Sequence, residues 1–271
     1  MTTIRQPAVS GQFYYSSPEA LKKQIASFID QDAKKQTVLA MVLPHAGYVY
    51  SGRVAVQTIS NAEFKETFIL IGPNHTGHGK AFSIMTEGSW RTPFGEVPID
   101  EKLAKEILND SGNLSEDTPA QRYEHSLEVE LPILQYFKSD FKIVPLVIAP
   151  ADKRTYERIG IELAGTIKRL NVTDKVIIIA SSDMTHYEPQ EEAEKKDRLA
   201  IEAILKLDHS LLLERVADLD ISMCGYAAVV IMLVSAKRLG AKEARLIRYE
   251  TSGEASGDYS SVVGYAGIII N

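Results

Sequence analysis

The chain has 271 residues, 45% of them apolar, a net charge of −6 and one cysteine. That composition can fill a globular core. With no cluster of Lys and Arg, it argues against nucleic acid or an anionic membrane as partner. One cysteine excludes an internal disulfide, no run of 18 apolar residues occurs, and "MTTIRQPAVSGQFYY" lacks a signal-peptide core, so a cytoplasmic protein is expected.

Taken in order, the chain reads as strand, loop and helix repeated. Ser17 caps and Pro18 opens a helix over "SPEALKKQIASFIDQD". "TVLAMVL" (37–43) and "TFILIG" (67–72) are continuous apolar runs, as strands buried on both faces must be. "AFSIMTEGSWRTPFGEVPI" (81–99) is expected to be a β-excursion with turns, a flap beside the sheet. Helix-period segments come next in "DEKLAKEILND" and "SLEVELPILQYF". A third buried strand, "FKIVPLVIA" (141–149), precedes the helix "KRTYERIGIELAGTIKRL". The fourth, "KVIIIAS" (175–181), precedes "EEAEKKDRLAIEAILKL". "SMCGYAAVVIMLVSAKRLG" is expected to be a helix from about Gly225 to just before Gly240, and two strands, 244–250 and 261–270, close the chain. Such alternation predicts one α/β domain over 1–271, a three-layer α/β/α sandwich around a largely parallel or mixed sheet.

The loops leaving the buried strands carry the chemistry. "PHAGYVYSG" brings His45, "PNHTGHG" brings His75 and His78, and "SDMTHY" brings Asp183 and His186. Ligands of open α/β sheets bind beyond the carboxyl ends of the strands. Parallel strands would therefore gather His45, His75, Asp183 and His186 in one crevice. Asp183 can equally cap a helix that starts at Thr185 or after Glu188. Cys224 falls at a helix start, where backbone amides and the dipole favour a thiolate. Imidazoles with a thiolate suit Fe, Cu or Zn. Donors so far apart in sequence point to an open site rather than a structural zinc site. In "QRYEHSLEVELP", His125 and Glu128 would share a helical face, letting the carboxylate orient the imidazole. Tyr48, Tyr50 and Tyr187 are candidates to line the pocket. The glycines of "HAGYVYSGR" lack the Walker Lys-Ser/Thr, and no G-x-S-x-G elbow occurs.

Seven ordered segments, "PAVSGQFYY", "PHAGYVYSG", "GPNHTGHG", "TPFGEVPID", "EHSLEVELPILQ", "SSDMTHYEP" and "MCGYAAV", resemble the Memo (mediator of cell motility) family. The resemblance implies a fold similar to the class III extradiol dioxygenases, non-haem iron enzymes that open catechol rings. It implies His45, His75 and Cys224 as metal ligands and His186 as an acid/base residue with Asp183 beside it. A cysteine where the dioxygenases use a glutamate means that ring opening is not carried over.

The combined expectation is a redox enzyme binding Fe(II), with Cu or Zn as alternatives, acting on a small molecule, on O2 or on both. The alternatives are a non-enzymatic iron- or copper-binding or peptide-binding adaptor and a zinc hydrolase. The resemblance also suggests a pathway shared with radical-SAM and AMMECR1-domain proteins.

Overall fold

A computed structural model describes residues 3–271. In chain order its strands are β1 (Ile4–Arg5), β2 (Ala40–Leu43), β3 (Thr67–Pro73), β4 (Phe82–Ile84), β5 (Ser89–Thr92), β6 (Gly95–Pro98), β7 (Ser115–Glu116), β8 (Lys142–Ile148), β9 (Val176–Ser181), β10 (His186–Glu188), β11 (Ala244–Thr251) and β12 (Val262–Ile270). The helices are α1 (Pro18–Ala26), α2 (Gly52–Ser60), α3 (Glu101–Asp110), α4 (Pro119–Arg122), α5 (Glu130–Phe137), α6 (Lys153–Arg169), α7 (Gln190–Leu205), α8 (His209–Asp218), α9 (Tyr226–Leu239) and α10 (Gly253–Ser256).

The four apolar runs form the middle of a nine-stranded sheet. β2, β9, β3 and β8 lie side by side and parallel, with Leu43 beside Ser181 and Ile71 beside both Ala180 and Leu146. The sheet is mixed because antiparallel strands extend it on both sides. β12 pairs with β2, β11 with β12, and β4 with β8. Helices α9, α6 and α8 cover one face, and α2, α1 and α5 cover the other. This is the three-layer α/β/α arrangement expected.

Helix α9 shows why burial dictates composition. It lies against β2, β3 and β9 on one side and against α6 and α8 on the other. All ten residues from Ala227 to Ala236 are consequently buried. A helix apolar all round is a core element when protein surrounds it. It ends at Gly240, whose φ of 106° supplies the left-handed cap. Among the described residues no helix is long and apolar enough to cross a membrane.

Three local differences from the sequence reading have physical causes. The segment 81–99 splits. β4 joins the main sheet, while the β5–β6 hairpin pairs with β1, placing Trp90 beside Arg5. The indole lies 4.3 Å from the Arg5 guanidinium, a cation–π contact that seals the chain start against the hairpin. Helix α5 begins only at Glu130: 126–129 form a turn, because Glu128 is drawn to Arg5 and to the amides of Ala8 and Val9. Helix α8 fills a stretch with no predicted element. Its cap is Asp208, whose carboxylate accepts the Ser210 and Leu211 amides at 3.1 and 3.0 Å.

Candidate metal centre

Since β9 lies between β2 and β3, the residues leaving all three strands meet at one edge. His45 comes directly after β2 and His75 after β3, and their ring centroids are 5.1 Å apart. A third imidazole arrives from the loop before α5. His125 stacks on His75 at 4.7 Å and stands edge-on to His45 at 5.5 Å. One nitrogen from each of the three lies within 4.8 Å of the others.

Cys224 adjoins this group through His45. Its Sγ is 3.2 Å from His45 Nε2. An ion bonded to sulfur at about 2.3 Å and to nitrogen at about 2.0–2.1 Å separates those donors by roughly 3.1 Å at a right angle and 3.5 Å at the tetrahedral angle. The observed spacing falls between the two, so this pair fits a shared ion without rearrangement.

The hydrogen bonds behind the imidazoles decide which nitrogen each one offers. Glu124 accepts His75 Nδ1 at 2.9 Å through one oxygen and the His75 backbone amide at 2.7 Å through the other. A carboxylate that takes Nδ1–H leaves the Nε2 lone pair for a metal, the usual support for a ligating histidine. Burial pushes Glu124 up, but the hydrogen bond and charge of His75 and the Ser126 amide outweigh it and hold the carboxyl below its usual range. His186 Nδ1 lies 2.8 Å from the Met184 carbonyl and 2.9 Å from that of Ser222. Carbonyls only accept, so Nδ1 carries a proton, and Nε2 is the ring nitrogen left without these partners. Burial and the neighbouring imidazoles depress His45 well below the ordinary histidine range, and burial also lowers His125. Both shifts favour the neutral imidazole, the form that can coordinate a metal.

Helix α9 delivers the sulfur, and Gly225 sets how close it comes. A Cβ there would stand 2.2 Å from the Ser181 carbonyl oxygen and 2.6 Å from Ser182 Cβ. Without a side chain, the helix start seats directly on the end of β9, and the Gly225 amide bonds Ser182 Oγ at 3.0 Å. The Asp183 amide in turn donates to Cys224 Sγ at 3.3 Å. The helix-start argument favours a thiolate, but burial and the nearby Asp183 charge win, and the thiol is pushed far up. The amides and dipole offset too little of the desolvation. A bound cation would supply what the peptide dipoles cannot.

The comparisons with known proteins agree with this architecture. The Memo family, described as "Memo-like protein", matches residues 5–269. A MEMO1 family protein of Methanococcoides burtonii is 44% identical, covering 98% of this chain and all of the relative. This chain belongs to the Memo family. Another member, from Methanocaldococcus jannaschii, is 40% identical over the whole of both chains. The fold also resembles a crystal structure of an uncharacterized protein from Escherichia coli K12, with TM-score 0.59 and 13% identity over 85% of this chain and 98% of that one.

Within this Memo chain, the remaining candidate residues separate into cleft, core and surface. Asp183 is buried, and its Oδ1 accepts the His45 amide at 2.7 Å. It caps no helix: 186–188 form β10, and the helix that does start after Glu188, α7, has Pro189 at its cap and no side-chain cap bond. Burial pushes its carboxyl up to about 6, against the pull of the His45 amide and His186. Glu128 is turned from His125 toward the chain start. It pairs with Arg5 and accepts the Ala8 and Val9 amides and the Tyr14 hydroxyl at 2.7, 3.0 and 2.6 Å. That pull explains why 125 and 128 do not share a helical face. Tyr48 is a core residue whose hydroxyl donates to the Val129 carbonyl at 2.5 Å. Tyr187 is 79% exposed, with a left-handed φ of 60°. His78 is exposed, and His209 pairs with Glu157 at 3.0 Å, remote from the cleft on α8. Sequence reasoning missed the roles of Glu124, which directly precedes His125, and of Ser181, the last residue of β9.

Proposed function

We propose that this Memo family protein is a metal-dependent redox enzyme of the non-haem Fe(II) type, with His45, His75 and Cys224 as ligands and His125 within reach as a further donor. The observation that carries the reading is the contact of 3.2 Å between Cys224 Sγ and His45 Nε2, beside two more imidazoles. Sulfur with imidazole suits Fe, Cu or Zn, and the choice of Fe(II) rests on the resemblance to the dioxygenase fold. When bound, the ion supplies Lewis-acid polarisation and, for iron or copper, one-electron chemistry.

The chain's own groups supply the rest. Glu124 orients His75. His186, with Nδ1–H tied to two carbonyls, presents Nε2 as the atom that takes or returns a proton. Asp183, whose carboxyl burial pushes up to about 6, would stand beside that imidazole as a second group able to hold a proton. A small molecule, O2 or both would occupy the open side of the cleft, where His75 and His186 reach solvent.

The fourth donor favours a second reading. If His45, His75, His125 and Cys224 all bind one four-coordinate ion, no position stays open, as in structural sites. The protein would then hold iron or copper without catalysis. Anaerobic purification with elemental analysis, followed by oxygen uptake with a panel of catechols, separates the two. Fe(II)-loaded protein that consumes no oxygen with any of them refutes a dioxygenase acting on catechols and favours the binding reading.

A further inference from the structure

Behind His45 stands a buried chain of polar groups that the metal reading does not use. His45 Nδ1 is 2.9 Å from Ser181 Oγ. The same oxygen is 2.7 Å from the Ser126 carbonyl and 3.0 Å from Glu130 Oε1. A serine hydroxyl has one proton and two lone pairs. The Ser126 carbonyl can only accept, and at the shortest of the three distances it takes the hydroxyl proton. Both remaining partners must then donate to Ser181. His45 does so with Nδ1–H. Glu130 can do so only as a carboxylic acid, because an ionised Oε1 would confront a lone pair at 3.0 Å.

The surroundings agree with an uncharged side chain. Glu130 is fully buried, and no cation pairs with it among the described residues. Its Oε2 has no hydrogen-bond partner. The facing titratable groups are Asp183, another carboxyl, and Tyr48, whose proton goes to Val129 instead. An isolated buried carboxylate would pay a large desolvation cost, so such a group keeps its proton.

From this juxtaposition we infer that Glu130 is a positioning residue held as the neutral acid, which donates to Ser181 and so fixes the oxygen that receives His45 Nδ1–H, leaving Nε2 facing Cys224. The two imidazoles are thereby supported differently. His75 is backed by the ionised Glu124 and becomes the electron-richer donor. His45 is backed by an uncharged chain, which avoids adding a second buried negative charge beside Cys224 and Asp183. The inference deepens the metal reading, but its primary readouts need no metal.

The test uses the full chain, metal-free, at pH 8, where Asp183 is ionised. The infrared difference between wild type and Glu130→Gln should contain one carboxylic-acid carbonyl band assigned to Glu130. Nitrogen-15 NMR of labelled histidine should show His45 as the Nδ1–H tautomer in both proteins. Glutamine keeps a donor toward Ser181 at equal size, so E130Q should hold Zn(II) within about threefold of wild type. Glu130→Leu, which has none, should leave Ser181 with an unfilled lone pair and a looser position, and lose roughly 10- to 100-fold in affinity. A missing acid band, or an E130Q loss as large as that of E130L, overturns the inference. If E130L does not fold, the band and the E130Q affinity still decide. If wild type binds no Zn(II), the metal reading fails while the band and tautomer test the inference unaided.

Discussion

Whether sulfur or a third imidazole completes the centre can be decided by counting protons. Burial and Asp183 keep the Cys224 thiol protonated in the metal-free protein, whereas His45 and His125 are held neutral. Above pH 8 an imidazole of ordinary pKa, about 6.5, has almost no proton left to lose. Binding through Cys224 must therefore expel close to one proton per ion, and binding through three imidazoles close to none. The affinity for Zn(II) should then rise about tenfold between pH 8 and pH 9, worth about 1.4 kcal/mol, and the Cys224→Ser variant should lose that slope along with most of its affinity. Asp183, near 6, is almost fully ionised throughout this window and adds little. Calorimetry in two buffers of different ionisation enthalpy gives the proton count directly. Competition with a chelator, corrected for the chelator's own titration, gives the slope. A count near zero in wild type, unchanged in C224S, would remove Cys224 from the ligand set.

The same geometry makes other changes measurable. His125→Ala should weaken Zn(II) binding by about tenfold if the imidazole is a supporting donor; full loss of metal by elemental analysis would make it a primary ligand. The Asp183 carboxyl is raised in the folded state, so the native protein holds its proton to higher pH than the unfolded chain, and its contribution to stability is lost as pH rises from about 4 to 6. Urea unfolding of metal-free protein should show Asp183→Asn gaining on wild type across that window, by up to roughly 3 kcal/mol. Parallel curves for the two proteins would refute the shift. Gly225→Ala forces a Cβ within 2.2 Å of the Ser181 carbonyl oxygen, so it should cost on the order of 1–3 kcal/mol and displace Cys224, read as a lower Tm together with weaker metal binding. Arg5→Ala leaves Glu128 buried without its cation and should cost on the order of 3–5 kcal/mol in urea, much of it recovered in an Arg5→Met/Glu128→Gln double variant.

The parts of this architecture legible in sequence were those with one dominant physical cause. Runs such as Ile177 to Ile179 can only be strands buried on both faces, and the histidines directly after two such runs had to emerge at the sheet's edge. Cys224 was legible because Gly225 and Gly240 bracket an apolar helix. The supports behind the donors were not. Glu128 and Glu124 look equivalent along the chain. Only the Arg5 side chain, 123 positions from Glu128, decides that Glu128 faces the chain start while Glu124 serves His75. Glu130 reads as an ordinary acid in a first helical turn, and its burial comes from the docking of α5 against α2, which no local pattern announces. Long-range pairing also kept His125 and Glu128 off a common helical face.

His45 and Cys224, already in contact, are 179 positions apart, and β12 pairs with β2, the strand that leads into His45. A site that used both residues would therefore be complete only once α9 has been made and docked on the end of β9. An ion held there would be acquired after folding, in competition with every other ligand around it, so its identity would record what the surroundings supplied as well as what the side chains prefer.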